Sequence, residues 1–442
     1  MAINEAINEA ISDAYRELAA ACRACDDVLA RLPAKPLRSE HDAATAEAAK
    51  LAARAARAGF LRDHADDVYR TLTHGHTQPL RVEQLVYAAA DRFPGLVPSR
   101  DAVDQERQLL QRDKEGVEID QGIFVCHMLS SRTAGLHLVH TMLRPTREAE
   151  QRLARFCADG VADLGPVIVE RVGAAGHVTL RNPGFLNAED DSTVAPLETA
   201  IDLVLLDPAI EVGVLRGDVV SHRKYAGRRV FNAGINLTHL YHGKISFVGF
   251  FLARDLGFVN KLYRGLTGER FAPDEPEHTV EKPWIAAVDA FAIGGGCQIL
   301  LTMDHVLAEH DAYFNLPARK EGIIPGAANL RLPRAVGARL ARQAILSERG
   351  FLAASPEGGL LCDEVVPRDG MDGAIARAIA QLTSAGIVSA AANRRALRVA
   401  EEPLDVFRRY MALYARDQAE CQFSPALIEN LERNWDARRR VP

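Results

Sequence analysis

Apolar residues recur at helical spacing through the first third of the chain. Ile3, Ile7, Ile11 and Leu18 fall on one side of a repeat of about 3.6 residues, and Ala2–Glu5 returns in phase as Ala6–Glu9. An alanine-rich stretch from Ala43 to Ala58 continues in the same style. Segments at Gln84–Ala90, Asp104–Arg112 and Glu148–Cys157 predict further helices, and Pro33, Pro36, Pro94 and Pro98 mark breaks between them. Near Gly165 the pattern changes. Val167-Ile168-Val169 and His177-Val178-Thr179-Leu180 are short, β-branched and bounded by Gly and Asn, as strands are. A helical segment from Val194 to Asp207 follows. Val212-Gly213-Val214-Leu215 and Trp284-Ile285-Ala286-Ala287-Val288 then read as buried strands. Strands alternating with helices predict an α/β domain on a largely parallel sheet. From Gly337 the pattern is helical again, to the basic end at Arg438-Arg439-Arg440. The expected division is a helical region over 1–165, an α/β core over 166–370 and a helical part over 371–442.

Bulk properties narrow the chemistry. A net charge of −6 argues against nucleic acid or an anionic membrane as partner, so any anionic ligand has to meet a local basic cluster. No apolar run approaches the roughly 20 residues that span a bilayer. The start, Met1-Ala2-Ile3-Asn4-Glu5, has neither a basic n-region nor an apolar h-region. Seven scattered cysteines suit reduced thiols, and a cytoplasmic location is expected. Cys22-x-x-Cys25 lies in a helical pattern with no second pair to complete a zinc site. His74, His76, His137 and His140 lack a third ligand at sensible spacing and read as surface or interface histidines; no metal is expected.

Two glycine turns carry the chemistry. One is Phe231-Asn232-Ala233-Gly234-Ile235-Asn236-Leu237. The other is Ala292-Ile293-Gly294-Gly295-Gly296-Cys297-Gln298, after a buried strand and before a helix-like run. Glycine permits a tight turn and close backbone approach, and N–H groups left free at a helix start favour negative charge. Phosphate-loop and dinucleotide fingerprints are absent. Taken alone, a Gly-Gly-Gly before a helix is weak evidence, since about half of such runs serve only as tight packing turns.

The order of these turns, followed by Phe314-Asn315-Leu316-Pro317, Gly322-Ile323-Ile324-Pro325-Gly326 and Asp363-Glu364-Val365-Val366-Pro367, resembles the crotonase (enoyl-CoA hydratase/isomerase) superfamily over about residues 165–370. The resemblance implies a spiral ββα core, a CoA thioester as ligand, and assembly as homo-trimers or dimers of trimers. It implies that the N–H groups of Ile235 and Gly295 form an oxyanion hole, with Ala233, Gly234, Asn236, Leu237, Gly294 and Gly296 shaping it. Two positions depart from the family's hydratases. Where those enzymes carry water-activating glutamates, this chain has Gln298 and Ala318, and neither acts as a general base at neutral pH. Hydration is therefore not expected. With the long N-terminal helical region, these departures make the chain similar to the cofactor-independent arylacetyl-CoA dioxygenases of glycopeptide-antibiotic assembly, with O2 as co-substrate and no resident cofactor. Other enolate reactions, thioester hydrolysis or decarboxylation, and a non-catalytic scaffold remain open alternatives.

Other polar residues join this expectation. Ser221-His222-Arg223-Lys224-Tyr225, with Arg228, is the densest basic stretch near the turns; the resemblance places it beside the CoA nucleotide, with Arg223, Lys224 and Arg228 as phosphate partners. His222 is a candidate base near the thioester. Asp191 or Ser192 is expected to cap the next helix, leaving Glu189 to face the substrate. Arg254, in an apolar stretch, needs a partner, either Glu189 or a phenol oxygen. Gln298 can donate and accept. Ile235, Leu237, Ile323 and Ile324 are candidates for a dry wall where oxygen collects.

Overall fold

In the computed structural model, which describes residues 2–273 and 278–440, helices and turns fill the chain up to Val161. The backbone of Ala2–Leu29 is one helix; the side chains of Ile3, Ile7 and Ile11 lie outside the described residues. Helix Glu40–Leu72 opens on a capping box between Ser39 and Asp42. Its buried Ala46, Ala53, Phe60 and Val68 recur about every two turns, and so form one stripe against neighbouring helices. Helices Glu118–Ser130 and Arg132–Met142 were not singled out by pattern. The first lies between Glu40–Leu72 and Leu404–Gln422 and is covered on both sides, so it shows no clean polar face. The expected helix at Asp104–Arg112 is shorter and earlier, Arg100–Glu106, because Ser99 accepts from the Ala102 N–H at 3.2 Å and starts it. The Glu106 carboxylate then accepts from the N–H groups of Glu115 at 2.6 Å and Gly116 at 3.3 Å, folding the chain back.

His137 corrects an expectation. It is 3% exposed, not at the surface, and its Nδ1 lies 2.7 Å from the Tyr69 hydroxyl. Burial, aided by His76 and His140, pushes its imidazole down to about 4, so it is neutral at physiological pH.

The seven-stranded sheet runs in the order Val161–Asp163, Val167–Val172, Ala175–Leu180, Val212–Gly217, Trp284–Val288, His305–Glu309 and Glu364–Val366. The first three strands pair antiparallel to one another, and every pairing from Ala175–Leu180 onward is parallel. Helices cover both faces. Val212, Val214, Ile285, Ala287 and Leu307 pack with Met371, Ala374 and Ile375 of helix Met371–Thr383. Alternate residues, among them Leu215, Ala286 and Val288, face the larger core, which includes Leu203 and Val204 of helix Asp191–Leu206. Two-sided burial explains why Trp284–Val288 is apolar without alternation.

A second, three-stranded sheet joins Phe291–Ile293, Tyr313–Asn315 and Phe351–Leu352 and carries the glycine triplet at the end of its first strand. One apolar cluster extends from Leu18 to Ala437, so the change in secondary structure near residue 165 is not a break in packing. Helix Leu404–Gln422 lies along Glu118–Ser130 closely enough that a Cβ on Gly122 would sit 2.6 Å from the Ala419 Cβ.

Candidate active site

The first turn is fixed by the small sheet. The Phe231 N–H donates to the Asp289 carbonyl at 3.1 Å, and the Ile293 N–H to the Asn232 carbonyl at 3.0 Å, so residues 231–232 run beside Phe291–Ile293. The Asn232 side chain ties the bend: its Oδ1 accepts from the Gly234 N–H at 2.6 Å and its Nδ2 donates to Glu189 at 2.9 Å. Gly234 has φ 82, and a Cβ there would lie 2.9 Å from the Ile293 carbonyl oxygen and 3.1 Å from the Gly295 nitrogen. Only glycine lets the two turns touch in this way.

This contact orders the two N–H groups. The Glu189 N–H donates to the Gly234 carbonyl and the Asn236 N–H to the Glu189 carbonyl, both at 2.7 Å. These are the bonds of a parallel bridge centred on Ile235, which leaves the Ile235 N–H on the opposite edge of the backbone. On the second turn, the Gly294 N–H donates to the Asn315 carbonyl at 2.8 Å and helix Gly295–Leu300 begins. The Gly295 N–H, first in that helix, has no intrahelical partner. Among the described residues neither the Ile235 nor the Gly295 N–H donates to an acceptor, and both residues line one cavity. Cys297, two residues on, is pushed up to about 12 by burial and is not a thiolate nucleophile at neutral pH.

Arg254 organises the floor behind the hole. It is 3% exposed, and each of its five N–H donors has a partner. Nε donates to Glu189 Oε2 at 2.7 Å, and Nη2 to Glu189 Oε1 at 3.0 Å and to the Gly295 carbonyl at 2.9 Å. Nη1 reaches Gln298 Oε1 at 2.8 Å and Asp255 Oδ1 at 3.3 Å. The pairing with Glu189 is as expected, but no donor is left over for a phenol. Glu189 itself is 0% exposed and is not among the residues that line the cavity; its carboxylate accepts from Asn232 and Arg254. An arginine offers only donors, so Gln298 must point its oxygen at Arg254, which turns its NH2 donor away from the guanidinium. The cap of helix Asp191–Leu206 is Asp190, not Asp191 or Ser192: its carboxylate accepts from the Ser192 N–H at 3.0 Å. Bonds from His239, Ser192 and Asn236 outweigh burial and hold Asp190 down to about 2.

The cavity is narrow and mostly apolar. Ile235, Phe250, Phe251, Ile323 and Ile324 form its walls; Arg254, Asp255, Gln298, Glu321 and Tyr414 are its polar groups. Leu237 is not part of the wall, because it begins helix Leu237–Tyr241. Tyr414 and Gln418, which accepts from the Ile324 N–H at 2.7 Å, arrive from helix Leu404–Gln422 and were invisible to the sequence reading. So was Glu321, whose setting in Ala318-Arg319-Lys320-Glu321 reads as a solvent-facing turn. Burial pushes its carboxyl up to about 7.

The basic stretch lies elsewhere. His222, Arg223 and Lys224 are exposed on the loop before the first turn and do not reach the cavity. Tyr225 packs its ring on Phe291 at 5.2 Å and so fastens this loop to the strand that carries the triplet. Arg228 is committed to Glu309 and Asp311, which removes it as a free phosphate partner. Among the described residues, no three His, Cys, Asp or Glu side chains are grouped to hold a metal.

Comparisons with known proteins place the chain among relatives. The (3,5-dihydroxyphenyl)acetyl-CoA 1,2-dioxygenase of Amycolatopsis orientalis is 48% identical over 405 residues, covering 92% of each chain. A probable enoyl-CoA hydratase of Mycobacterium bovis is 30% identical over 231 residues, 52% of this chain and 79% of that protein. The crystal structure of an enoyl-CoA hydratase from Mycobacterium avium subsp. paratuberculosis superposes with a TM-score of 0.50 at 24% identity, over 61% of this chain and 98% of that one. The enoyl-CoA hydratase/isomerase family model matches residues 170–418, and the chain belongs to that family.

Proposed function

We propose that this protein is a metal- and cofactor-independent dioxygenase. It converts (3,5-dihydroxyphenyl)acetyl-CoA and O2 to (3,5-dihydroxyphenyl)glyoxylate and free CoA, a step toward dihydroxyphenylglycine and glycopeptide antibiotics. One observation carries the reading: two backbone N–H groups without an acceptor among the described residues open into a mostly apolar cavity from which both hydratase glutamates are missing, as Gln298 and Ala318. The 48% identity to the Amycolatopsis enzyme, over nearly the whole chain, supports the substrate and reaction.

The chemistry follows from the residues. Thioester carbonyl oxygen sits between the N–H groups of Ile235 and Gly295. Loss of an α-proton places negative charge on that oxygen, where each donor is worth about 2.7–4 kcal/mol in comparable sites. Water-activating carboxylates are absent at the two usual positions, and the isoleucine and phenylalanine wall keeps solvent from reprotonating the carbanion. Oxygen adds at the α-carbon, and the resulting peroxide attacks the thioester carbonyl. Expulsion of CoA thiolate, cleavage of the O–O bond and loss of the second α-proton leave the keto acid. Both oxygen atoms are retained, one in the keto group and one in the carboxylate. Ala233, Gly234, Asn236, Gly294 and Gly296 shape the hole, and Gln298 offers its NH2 to the substrate. The loop His222–Tyr225 meets the CoA nucleotide, and the protein works as a homo-oligomer of the trimeric type found in the family.

The test is turnover by EDTA-dialysed, metal-analysed protein under 18O2. The expected result is full activity with two labelled atoms in the product. Activity lost to the chelator and restored by iron refutes the reading. Thiol release without oxygen uptake makes the protein a hydrolase.

A further inference from the structure

The α-proton needs an acceptor, and none of the residues singled out by sequence supplies one. His222 is outside the cavity, Glu189 is saturated behind Arg254, and Gln298 and Ala318 are not bases. Glu321 is different. Ala318 occupies the first position of helix Ala318–Glu321, where the family's hydratases carry a glutamate. Residues three apart share a helix face, so Glu321 returns a carboxyl to the same side, one turn along. It lines the cavity with Ile235 and Gly295. Its Oε2 lies 4.0 Å from where a Cβ on Gly294 would be, beside the residue that supplies the second N–H.

Its surroundings leave it unneutralised. Glu321 is 5% exposed, and among the described residues no hydrogen-bond donor or cation pairs with its carboxylate. Lys320, adjacent in sequence, offsets that burial only in part and sits over the Trp435 ring at 5.6 Å rather than in an ion pair. Across the cavity, Arg254 is committed to Glu189, Asp255 and Gln298, and Tyr414 hydrogen-bonds Asp255. Helix Pro425–Trp435 closes the outer side, with Leu427 Cα 2.9 Å from where a Cβ on Gly322 would be. Burying a carboxyl without a partner costs stability, and such groups concentrate where chemistry uses them.

We propose, resting on the reading of the cavity as an arylacetyl-thioester site, that Glu321 is the base that removes the α-proton. The α C–H bond breaks and its proton passes to a Glu321 carboxylate oxygen. The electron pair becomes the enolate double bond, with negative charge on the oxygen held by Ile235 and Gly295. The protonated Glu321 then gives that proton to the departing CoA thiolate; the carboxylate so restored takes the second α-proton as the O–O bond breaks and releases it to solvent before the next cycle.

The experiment compares the parent with Glu321→Gln and Glu321→Asp. Oxygen uptake and keto-acid formation are followed with (3,5-dihydroxyphenyl)acetyl-CoA from pH 5 to 9, and affinity with a non-reactive dethia analogue. The parent is expected to gain kcat/KM through an inflection near pH 7, matching the raised carboxyl. Glu321→Gln should lose about 10²–10⁴-fold in kcat and lose the inflection, while binding the analogue within threefold of the parent. Glu321→Asp, which keeps a shorter carboxylate, should retain the inflection at a lower rate, an effect that a packing role would not produce. Glu321→Gln turning over within threefold of the parent, or keeping the inflection, overturns the assignment. A parent that takes up no oxygen with this substrate overturns the function itself, so the two failures are distinguishable.

Discussion

Replacing Gly234 by alanine drives a methyl group between the two turns. Two costs arise, and a second variant separates them. The first is backbone strain: Gly234 has φ 82, and a left-handed conformation costs a non-glycine residue about 1–2 kcal/mol. Gly173, at φ 58 with nothing within 4 Å of a would-be Cβ, pays the same kind of strain in Gly173→Ala and meets no clash. The second cost belongs to Gly234 alone. Its methyl would lie 2.9 Å from the Ile293 carbonyl oxygen and 3.1 Å from the Gly295 nitrogen, both backbone atoms, while ordinary contact begins at 3.4 Å. The turns must therefore part by 0.5 Å on one contact (3.4 − 2.9) and 0.3 Å on the other (3.4 − 3.1). That shift moves the Gly295 N–H off the thioester oxygen it is proposed to hold, and complete loss of one such donor costs about 10²–10³ in kcat. Gly234→Ala should accordingly lose about a hundredfold in oxygen uptake and thiol release. Gly173→Ala should stay within threefold of the parent with a small loss in thermal unfolding, and Gly234→Ala, which adds the clash to the strain, should lose more. A folded Gly234→Ala that turns over like Gly173→Ala would mean that the contact between the turns does not set the hole.

Three other outcomes follow from the same contacts. Arg254→Met leaves Glu189 buried without its cation and should cost about 3–5 kcal/mol in denaturant unfolding; adding Glu189→Gln should recover part of that loss, and a double variant less stable than the single contradicts the pairing. Ile235→Pro removes a donor and Ile235→Ala keeps it; anaerobic exchange of substrate α-hydrogens with deuterated solvent should nearly cease in the first and persist in the second, and equal exchange in both disproves the hole. Glu321 is raised from 4.5 to about 7, so the folded state holds its proton where the unfolded state has released it, and stability falls as pH rises through that window. Glu321→Gln should therefore gain on the parent between pH 5 and 8, by roughly 3 kcal/mol at most, with no difference at pH 4; unfolding curves with the same offset at every pH would exclude the shift.

Local chemistry was legible where a residue type has few options. Gly234 and the triplet could be read because close backbone approach excludes other residues. Arg254 could be paired with Glu189 because a guanidinium in an apolar run needs a carboxylate. Trp284–Val288 announced a strand covered on both faces. What was hidden came from elsewhere in the chain. Glu321 reads as a surface charge until helices Leu404–Gln422 and Pro425–Trp435, far along the sequence, close over it. Helix Glu118–Ser130 is wrapped by partners on two sides, so burial erased the stripe that would have marked it. Arg228 looked free for phosphate because Glu309 and Asp311, its partners, are about eighty residues away in sequence. His222 lies near the first turn in sequence, but the chain projects it away from the cavity.

In the proposed reaction, the wall supplied by helix Leu404–Gln422 decides which molecule meets the carbanion first. Tyr414 lines the cavity, and Gln418 braces its Ile324 wall by accepting from the Ile324 N–H. A chain lacking this helix would keep both N–H donors but would open the cavity to bulk water. There the carbanion would recapture a proton long before dilute dissolved gas arrived. The outcome would be idle hydrogen exchange, with thioester intact and no oxygen consumed. Fidelity to oxygen in this design is therefore a matter of competition between two reagents, and the last helices of the fold are what bias it.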